Sequence, residues 1–190
     1  MRICTIAIIS IVCMTWMSSA YATDFRMKYR GLNKLNAPVS VQGYQFKAPN
    51  GQIESVNDWQ GNWVLLNVWA TWCAPCLAEL PDLAQLAKNN PFPNLDVIAV
   101  SFDQRRSQGE ILRALSRKDL GTFAGYMDIN RQFEKKMKPS GLPRTYLINP
   151  AGEVVADYRG AANWLDPKVF QDLSLFVNSG NASKISATKP

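Results

Sequence analysis

The sequence lacks histidine altogether and has few cysteines, and both shortages narrow the chemistry that it can support. Its 190 residues include four cysteines: Cys4, Cys13, Cys73 and Cys76. A structural zinc site usually takes four cysteine or histidine ligands. Because two of the four cysteines stand close to the N-terminus and no histidine can complete a set, we expect neither a metal site nor a cofactor held by one.

The sequence also lacks an apolar run as long as a membrane span. Residues 3–16 are mostly apolar, which is short of the ~20 residues that a transmembrane helix needs. The run follows the positively charged Arg2 and precedes an Ala-x-Ala ending, and these are the three parts of a secretory signal peptide. We predict that residues 1–22 are a signal peptide cleaved after Ala22, so that the protein is periplasmic or otherwise exported. An uncleaved membrane anchor is the alternative.

A concentration of charge is the third feature that is missing. The chain has 21 lysines and arginines against 15 acidic residues, a formal net charge of +6. The basic residues are scattered and form no recognisable nucleic-acid-binding motif. We therefore expect no nucleic-acid partner, and we interpret the excess positive charge as part of a solvated surface.

The chemistry that is present is concentrated at residues 72–76, Trp-Cys-Ala-Pro-Cys. They follow the apolar run 63–69, which has the pattern of a buried strand, and precede the amphipathic run 77–87, which has the pattern of a helix. Two cysteines separated by two residues at such a junction indicate a thiol-disulfide redox site. Because a helix N-terminus lowers the pKa of a thiol, Cys73 is predicted to attack and Cys76, inside the first turn, to resolve the mixed disulfide.

One carboxylate interrupts the apolar face of the predicted helix. Helical spacing places Glu79 on the same face as Cys76 and Leu83. Burial would favour the protonated acid and raise its pKa, so we predict that Glu79 exchanges a proton with Cys76. The alternative is a first-turn glutamate at the rim, stabilised by the helix dipole.

Two stretches of the chain resemble the TlpA/ResA-like branch of the thioredoxin superfamily. The first is residues 67–76, Asn-Val-Trp-Ala-Thr-Trp-Cys-Ala-Pro-Cys, followed by Glu-Leu-Pro at 79–81. The second is residues 141–148, Gly-Leu-Pro-Arg-Thr-Tyr-Leu-Ile. The resemblance covers residues 38–178. It implies an α/β, thioredoxin-like fold in which helices flank a central mixed sheet, with an extra N-terminal β-hairpin.

The resemblance also implies roles for residues beside the dithiol. It matches Pro143 to the family's cis-proline loop, where the backbone of the preceding Leu142 faces the cysteines and can pair with an extended client. Together with Trp72, these two residues form the predicted client-binding surface. It matches Glu79 to the family's acidic residue three positions after the second cysteine. Thioredoxin itself has a buried aspartate where this chain has Asn67, which directs attention to Glu79 as the acid.

The remaining pattern is that of a single α/β domain. Residues 23–37 are polar and are predicted to be a lead-in segment, residues 38–178 the domain, and residues 179–190 a disordered tail. Strands alternate with helices, which indicates βαβ connections. The predicted elements are a hairpin across 44–55, strands at 63–69, 95–102, 123–127, 144–148 and 153–158, and helices at 77–87, 108–120, 129–137 and 166–176.

The resemblance implies a thiol-disulfide oxidoreductase that reduces disulfides in client proteins, and we expect it to be exported, from the predicted signal peptide, and monomeric. The clients implied are apocytochrome c or copper-site cysteines, and the electron donor implied is a membrane thiol reductase. The alternatives are an oxidant that forms disulfides, and a binding module, chaperone or copper carrier without redox turnover. The absence of histidine argues against copper. Peroxidase activity is disfavoured because Thr71 precedes Cys73 by two positions rather than the three of the peroxiredoxin pattern.

Overall fold

The computed structural model describes residues 29–116 and 120–186, and the side chains up to residue 178. The predicted signal peptide, 1–22, and the end of the predicted tail, 187–190, lie outside the described residues. Among the described residues, none of the helices combines the length and the apolar character that crossing a bilayer requires.

An eight-stranded mixed sheet forms the centre of the molecule. The strand order is β1-β8-β7-β4-β5-β6-β2-β3. The neighbours β4, β5 and β6 run parallel, while all other neighbouring pairs are antiparallel. The predicted mixed sheet is confirmed. Its strands are β1 (Asn33–Ser40), β2 (Gln45–Lys47), β3 (Ile53–Ser55), β4 (Trp63–Trp69), β5 (Leu95–Ser101), β6 (Tyr126–Asp128), β7 (Arg144–Ile148) and β8 (Glu153–Arg159).

In the described part of the chain, five α-helices connect or follow these strands. They are α1 (Ala74–Asn89), α2 (Gln108–Ser116), α3 (Gly121–Ala124), α4 (Gln132–Met137) and α5 (Pro167–Ser186). The helix predicted at 129–137 opens instead as a short 3-10 turn, because Asn130 and Arg131 adopt φ values of 53° and 57° in the left-handed region. Helix α5 extends past its predicted end at 176, into the segment for which disorder was expected. Gly121, directly after the predicted helix 108–120, begins α3.

Strand β4 separates two hydrophobic cores. All seven of its residues are buried, as its apolar sequence predicts. Successive side chains point to opposite faces, so Leu65 and Trp69 pack on the side of α1, while Leu66 and Val68 pack with Phe133 of α4. Because β5 and β7 pair with β4 on its two sides, the position of the C-terminal end of β4 is well defined.

The predicted N-terminal hairpin is present at one end of the sheet. Strands β2 and β3 pair antiparallel around the Asn50-Gly51 turn, where Gly51 has a φ of 87° that favours glycine. Phe46 of β2 pairs with Asp128 of β6, which joins the hairpin to the main sheet.

A strand that the sequence pattern did not reveal begins in the predicted lead-in segment and crosses its boundary at residue 38. Strand β1 pairs antiparallel with β8 at the other end of the sheet, yet most of its side chains are exposed, so it shows no apolar alternation. Just before β1, the Tyr29 hydroxyl donates to Asp172 Oδ2 at 2.9 Å, and the Leu32 N–H donates to the same oxygen at 3.0 Å. The Tyr29 ring stacks on Tyr158 with 5.2 Å between centroids. These contacts fasten the start of the described chain to α5.

Candidate active site

The two predicted redox cysteines lie where β4 gives way to α1. Cys73 is the N-cap residue of α1, and Cys76 lies within its first turn. Their sulfurs form a disulfide, with 5.3 Å between the two Cα atoms. Pro75 occupies an early helix position at which its missing N–H removes no intrahelical hydrogen bond. The strand-to-helix setting predicted for the dithiol is therefore confirmed.

Both cysteines are buried, but not to the same extent. Cys73 is 5 % exposed, Cys76 is fully buried, and Trp72 beside them is 72 % exposed. The backbone N–H of Cys76 points at Cys73 Sγ, 3.3 Å away. An N–H donor and the positive end of a helix dipole both favour a thiolate at Cys73 in the reduced state. This arrangement suits Cys73 as attacker and Cys76 as the sheltered partner.

Asp103 holds the loop that leads into Cys73. Its carboxylate accepts hydrogen bonds from the Thr71 backbone N–H at 2.9 Å and from the Thr71 hydroxyl at 2.7 Å. The Ser101 hydroxyl donates to it at 2.7 Å. Asp103 directly follows the strand predicted at 95–102, but the sequence pattern gave it no role. The clue was available, since polar residues directly after parallel strands meet at one edge of a sheet.

Glu79 is buried beneath the dithiol rather than placed at the rim. It is 2 % exposed and lies one helical turn beyond Cys76. Its Oε1 accepts a hydrogen bond from Asn67 Nδ2 at 2.8 Å. Its Oε2 accepts from the Ala162 backbone N–H at 2.9 Å and from Trp164 Nε1 at 2.8 Å. The carboxyl group is therefore surrounded by hydrogen-bond donors inside the core.

Burial raises the pKa of Glu79 to about 7, because desolvation penalises the charged form. The hydrogen bonds from Ala162, Trp164 and Asn67 act in the opposite direction and keep the pKa from rising further, while the charge of Asp82 raises it slightly. A carboxyl group with this pKa exchanges protons readily near neutral pH.

Three of the residues around Glu79 were missed by the sequence analysis. Ala162 and Trp164 follow β8, and Thr145 lies on β7, where it accepts a hydrogen bond from Asn67 Nδ2 at 2.9 Å. A tryptophan far along the chain gives no local signal that its indole donates to a carboxylate on α1. Thr145 sits opposite Asn67 in the ladder between β7 and β4, so a correct strand register would have found it.

The predicted proline loop lies at the same edge of the sheet as the dithiol. The Leu142–Pro143 peptide is cis, which confirms the prediction. Arg144, which follows, pairs with Val68 near the end of β4, and Gly160 N–H donates to the Pro143 carbonyl at 3.0 Å. Leu142 is half-buried between the two cores. The fold thus brings the second matching stretch to the end of β4, where the cysteine loop begins.

Comparison with known proteins agrees with this geometry. Residues 39–157 match the AhpC/TSA family. The chain belongs to the AhpC/TSA family. Among curated relatives of this AhpC/TSA-family chain, the thiol-disulfide oxidoreductase ResA of Bacillus subtilis is 29 % identical over 162 residues, which is 85 % of this chain and 87 % of ResA. ResA of Oceanobacillus iheyensis is 34 % identical over 122 residues, but this alignment covers only 62 % of each protein.

A solved structure supports the same fold for the AhpC/TSA-family chain. The crystal structure of a thiol:disulfide interchange protein assigned as DsbE from Chlorobium tepidum superimposes with a TM-score of 0.64 and 21 % identity, covering 75 % of this chain and 99 % of that one. Within the thioredoxin superfamily, the protein is therefore a TlpA/ResA-like thiol-disulfide oxidoreductase.

The buried Glu79 of this AhpC/TSA-family protein should make its stability depend on pH. Its pKa is about 7 in the folded state against 4.5 for the ordinary group, so the folded protein binds more protons between these values. Stability contributed by the neutral acid is complete below about pH 4.5 and is lost as pH rises through about 7, a fall of about 3 kcal/mol.

Glu79→Gln should lack this fall, because the amide does not ionise. Urea unfolding of the oxidised parent and variant at about pH 5 and about pH 8 measures the difference, since all other titrating groups are shared. Equal changes in the two proteins would show that Glu79 ionises in the folded state as it does in the unfolded chain.

Proposed function

We propose that the protein is exported and reduces disulfides in client proteins through Cys73, Cys76 and Glu79. The observation that carries this proposal is the disulfide at the amino end of α1 with a buried carboxyl group one turn further along the same helix. One arrangement thus offers a cysteine at the helix N-cap, a fully buried second cysteine and a proton acceptor.

The reaction begins with both cysteines reduced. The Cys73 thiolate attacks one sulfur of a client disulfide, forming a mixed disulfide and releasing the other client sulfur as a thiolate, which takes a proton from solvent. The Cys76 thiol then gives its proton to the Glu79 carboxylate and attacks Cys73 Sγ. This step forms the Cys73–Cys76 disulfide, breaks the mixed disulfide and releases the second client sulfur as a thiolate, which takes a proton from solvent. The client gains two electrons and the dithiol loses them.

Regeneration requires a dithiol donor, for which we propose a membrane thiol reductase. Its two electrons return Cys73 and Cys76 to the reduced state, and the proton held by Glu79 becomes available to Cys76. Apocytochrome c or proteins with copper-site cysteines are the proposed clients, on the resemblance to the TlpA/ResA-like branch. We further propose that the protein acts as a monomer.

Client binding is proposed for the surface formed by Trp72, Leu142 and Pro143. The exposed indole of Trp72 offers apolar area next to Cys73. The backbone at Leu142 lies in the loop just before β7, where an extended client segment could pair with it in the manner of a strand.

Export is proposed from the pattern of residues 1–22. The intact mass of the protein recovered from the host's periplasmic or extracellular fraction tests it. A mass that starts at Thr23 supports cleavage after Ala22, a full-length mass in the membrane fraction indicates an anchor, and recovery from the cytoplasm would overturn export.

The direction of electron flow is tested by the reduction potential of the Cys73–Cys76 pair. Equilibration with glutathione buffers, followed by thiol alkylation and mass spectrometry, gives the reduced fraction. The reduction potential is about −270 mV for reductants such as thioredoxin and about −120 mV for the oxidant DsbA, a difference of about 7 kcal/mol for two electrons. We expect a value at the thioredoxin end. A potential of about −120 mV would show that the protein is an oxidant and overturn the proposed reductase function.

A further inference from the structure

The carboxamide of Asn67 lies between Glu79 and Thr145 in the interior of the sheet. Its Nδ2 donates to Glu79 Oε1 at 2.8 Å and to Thr145 Oγ1 at 2.9 Å. All three residues are buried. Within the described part of the chain, Asn67 Oδ1 is buried and has no hydrogen-bond partner. A buried acceptor without a partner destabilises a fold, and among the described residues no hydrogen bond at Oδ1 holds the carboxamide in its present orientation.

The neighbours of Glu79 determine which oxygen can carry a proton. Glu79 Oε2 accepts from the Ala162 N–H and from the Trp164 indole N–H, and neither of these groups can become an acceptor. The proton must therefore reside on Oε1. A proton on Oε1 would face the Asn67 Nδ2 group, which already donates a hydrogen to that oxygen, so two hydrogens would point at each other. The orientation of Asn67 in the structure consequently fits the charged carboxylate and opposes the neutral acid.

We propose that the Asn67 carboxamide turns by half a rotation when Glu79 takes up a proton, so that Oδ1 replaces Nδ2 opposite both Glu79 and Thr145. In the turned position, Asn67 Oδ1 accepts hydrogen bonds from the Glu79 O–H and from the Thr145 hydroxyl. The amide oxygen and nitrogen occupy nearly the same volume, so the rotation needs no additional space. Thr145 can follow because a hydroxyl both accepts and donates.

This inference rests on the proposed role of Glu79 as proton acceptor for Cys76, and it makes Asn67 and Thr145 positioning residues for that proton. Because Asn67 hydrogen-bonds to both Glu79 and Thr145 in either charge state of Glu79, the acid and the carboxylate are both held in place. The proton stays on Oε1 in the interval between its arrival from Cys76 and its return.

Other titratable groups near Glu79 act on it only weakly in the oxidised protein. Cys76 is in the disulfide and does not titrate. Burial raises the pKa of Tyr158, on β8, so this phenol stays neutral near pH 7. Asp82, on α1, acts on Glu79 through its charge as the smallest of the contributions. A pKa of about 7 for Glu79 agrees with a site that accommodates both forms.

Neutron diffraction from deuterated crystals of the oxidised protein tests the rotation directly, because it distinguishes the ND₂ group of Asn67 from its oxygen. Crystals equilibrated well below and well above pH 7 are compared with crystals of Glu79→Gln. We expect the ND₂ group to face residue 79 at high pH and to face away at low pH. In Glu79→Gln it should face away at both, since the Gln amide must donate toward Asn67. An ND₂ group that faces Glu79 at both pH values would overturn the proposal.

A kinetic measurement tests whether the rotation serves the reaction. Thr145→Val removes the hydroxyl at nearly constant volume, and Thr145→Ser retains it. Stopped-flow measurement of the step in which Cys76 resolves a mixed disulfide should show a slowing of about threefold to tenfold for Thr145→Val, with recovery in Thr145→Ser. Equal rates for all three proteins would overturn the role of Thr145. The neutron experiment involves neither a client nor an electron donor. Its outcome therefore tests the rotation of Asn67 independently of the proposed reductase function.

Discussion

Cys73→Ser is expected to lower the reduction of insulin disulfides to the rate given by the thiol reductant alone, a complete loss of the catalysed reaction. Only a thiolate can attack a disulfide and remain joined to the client sulfur, and a serine hydroxyl at the N-cap of α1 cannot. Cys76→Ser should also lose turnover, but for a different reason. Cys73 still attacks, and the mixed disulfide then persists because no second thiol resolves it.

Non-reducing electrophoresis with mass spectrometry separates the two variants. Cys76→Ser should accumulate covalent adducts with client proteins that disappear on reduction, and Cys73→Ser should accumulate none. The variant with both cysteines replaced is the control for association without a covalent bond. Full turnover by Cys76→Ser, or trapping by Cys73→Ser, would reverse the assignment of attacker and resolver.

Glu79→Gln is expected to slow the resolving step by about 10²-fold, the usual size of a positioned proton acceptor's contribution. With a pKa of about 7, Glu79 in the parent is increasingly a carboxylate as pH rises through neutrality, so the parent's resolving rate should rise over the same range. The glutamine cannot accept the Cys76 proton, and the rise around pH 7 should disappear from its profile.

The measurement is the pH dependence of mixed-disulfide resolution from about pH 5 to about pH 9, with Glu153→Gln as the matched control. Glu153 is the first residue of β8 and lies at the edge of the sheet opposite the one where β4 ends and the dithiol begins. It accepts a hydrogen bond from Asn149. Superimposable profiles for the parent and Glu79→Gln would remove Glu79 from the chemistry and leave it a structural residue.

Much of the fold, the dithiol and Glu79 could be predicted because they depend on local sequence pattern. The uninterrupted apolar run of β4 and the Asn-Gly turn of the hairpin specify their own conformation, and both were placed correctly. The position of the dithiol between a strand and a helix follows from the change of periodicity around Cys73. Helical spacing was also sufficient to place Glu79 in the interior.

What could not be predicted depends on contacts between distant parts of the chain. The donors of Ala162 and Trp164 reach Glu79 across 83 and 85 residues, a separation over which local pattern carries no information. Strand β1 was missed because an exposed strand at the end of a sheet has little apolar alternation. Of the two left-handed residues at the start of α4, Asn130 is of a type that tolerates this conformation, but it lies in no recognised turn sequence, so the change of direction was not predicted.

The contact between Tyr29 and Asp172 determines how far the chain can be shortened without altering its chemistry. Tyr29 packs against Trp164, with 5.9 Å between ring centroids, and Trp164 donates to the Glu79 carboxylate. A fragment that begins at residue 38, the boundary drawn from the sequence, would lack Tyr29 and most of β1. Water would then reach the far side of Trp164, and the acid would titrate lower. Fragments intended for kinetic or potential measurements must therefore retain the chain from Tyr29 through Asp172, although neither residue lies beside a sulfur.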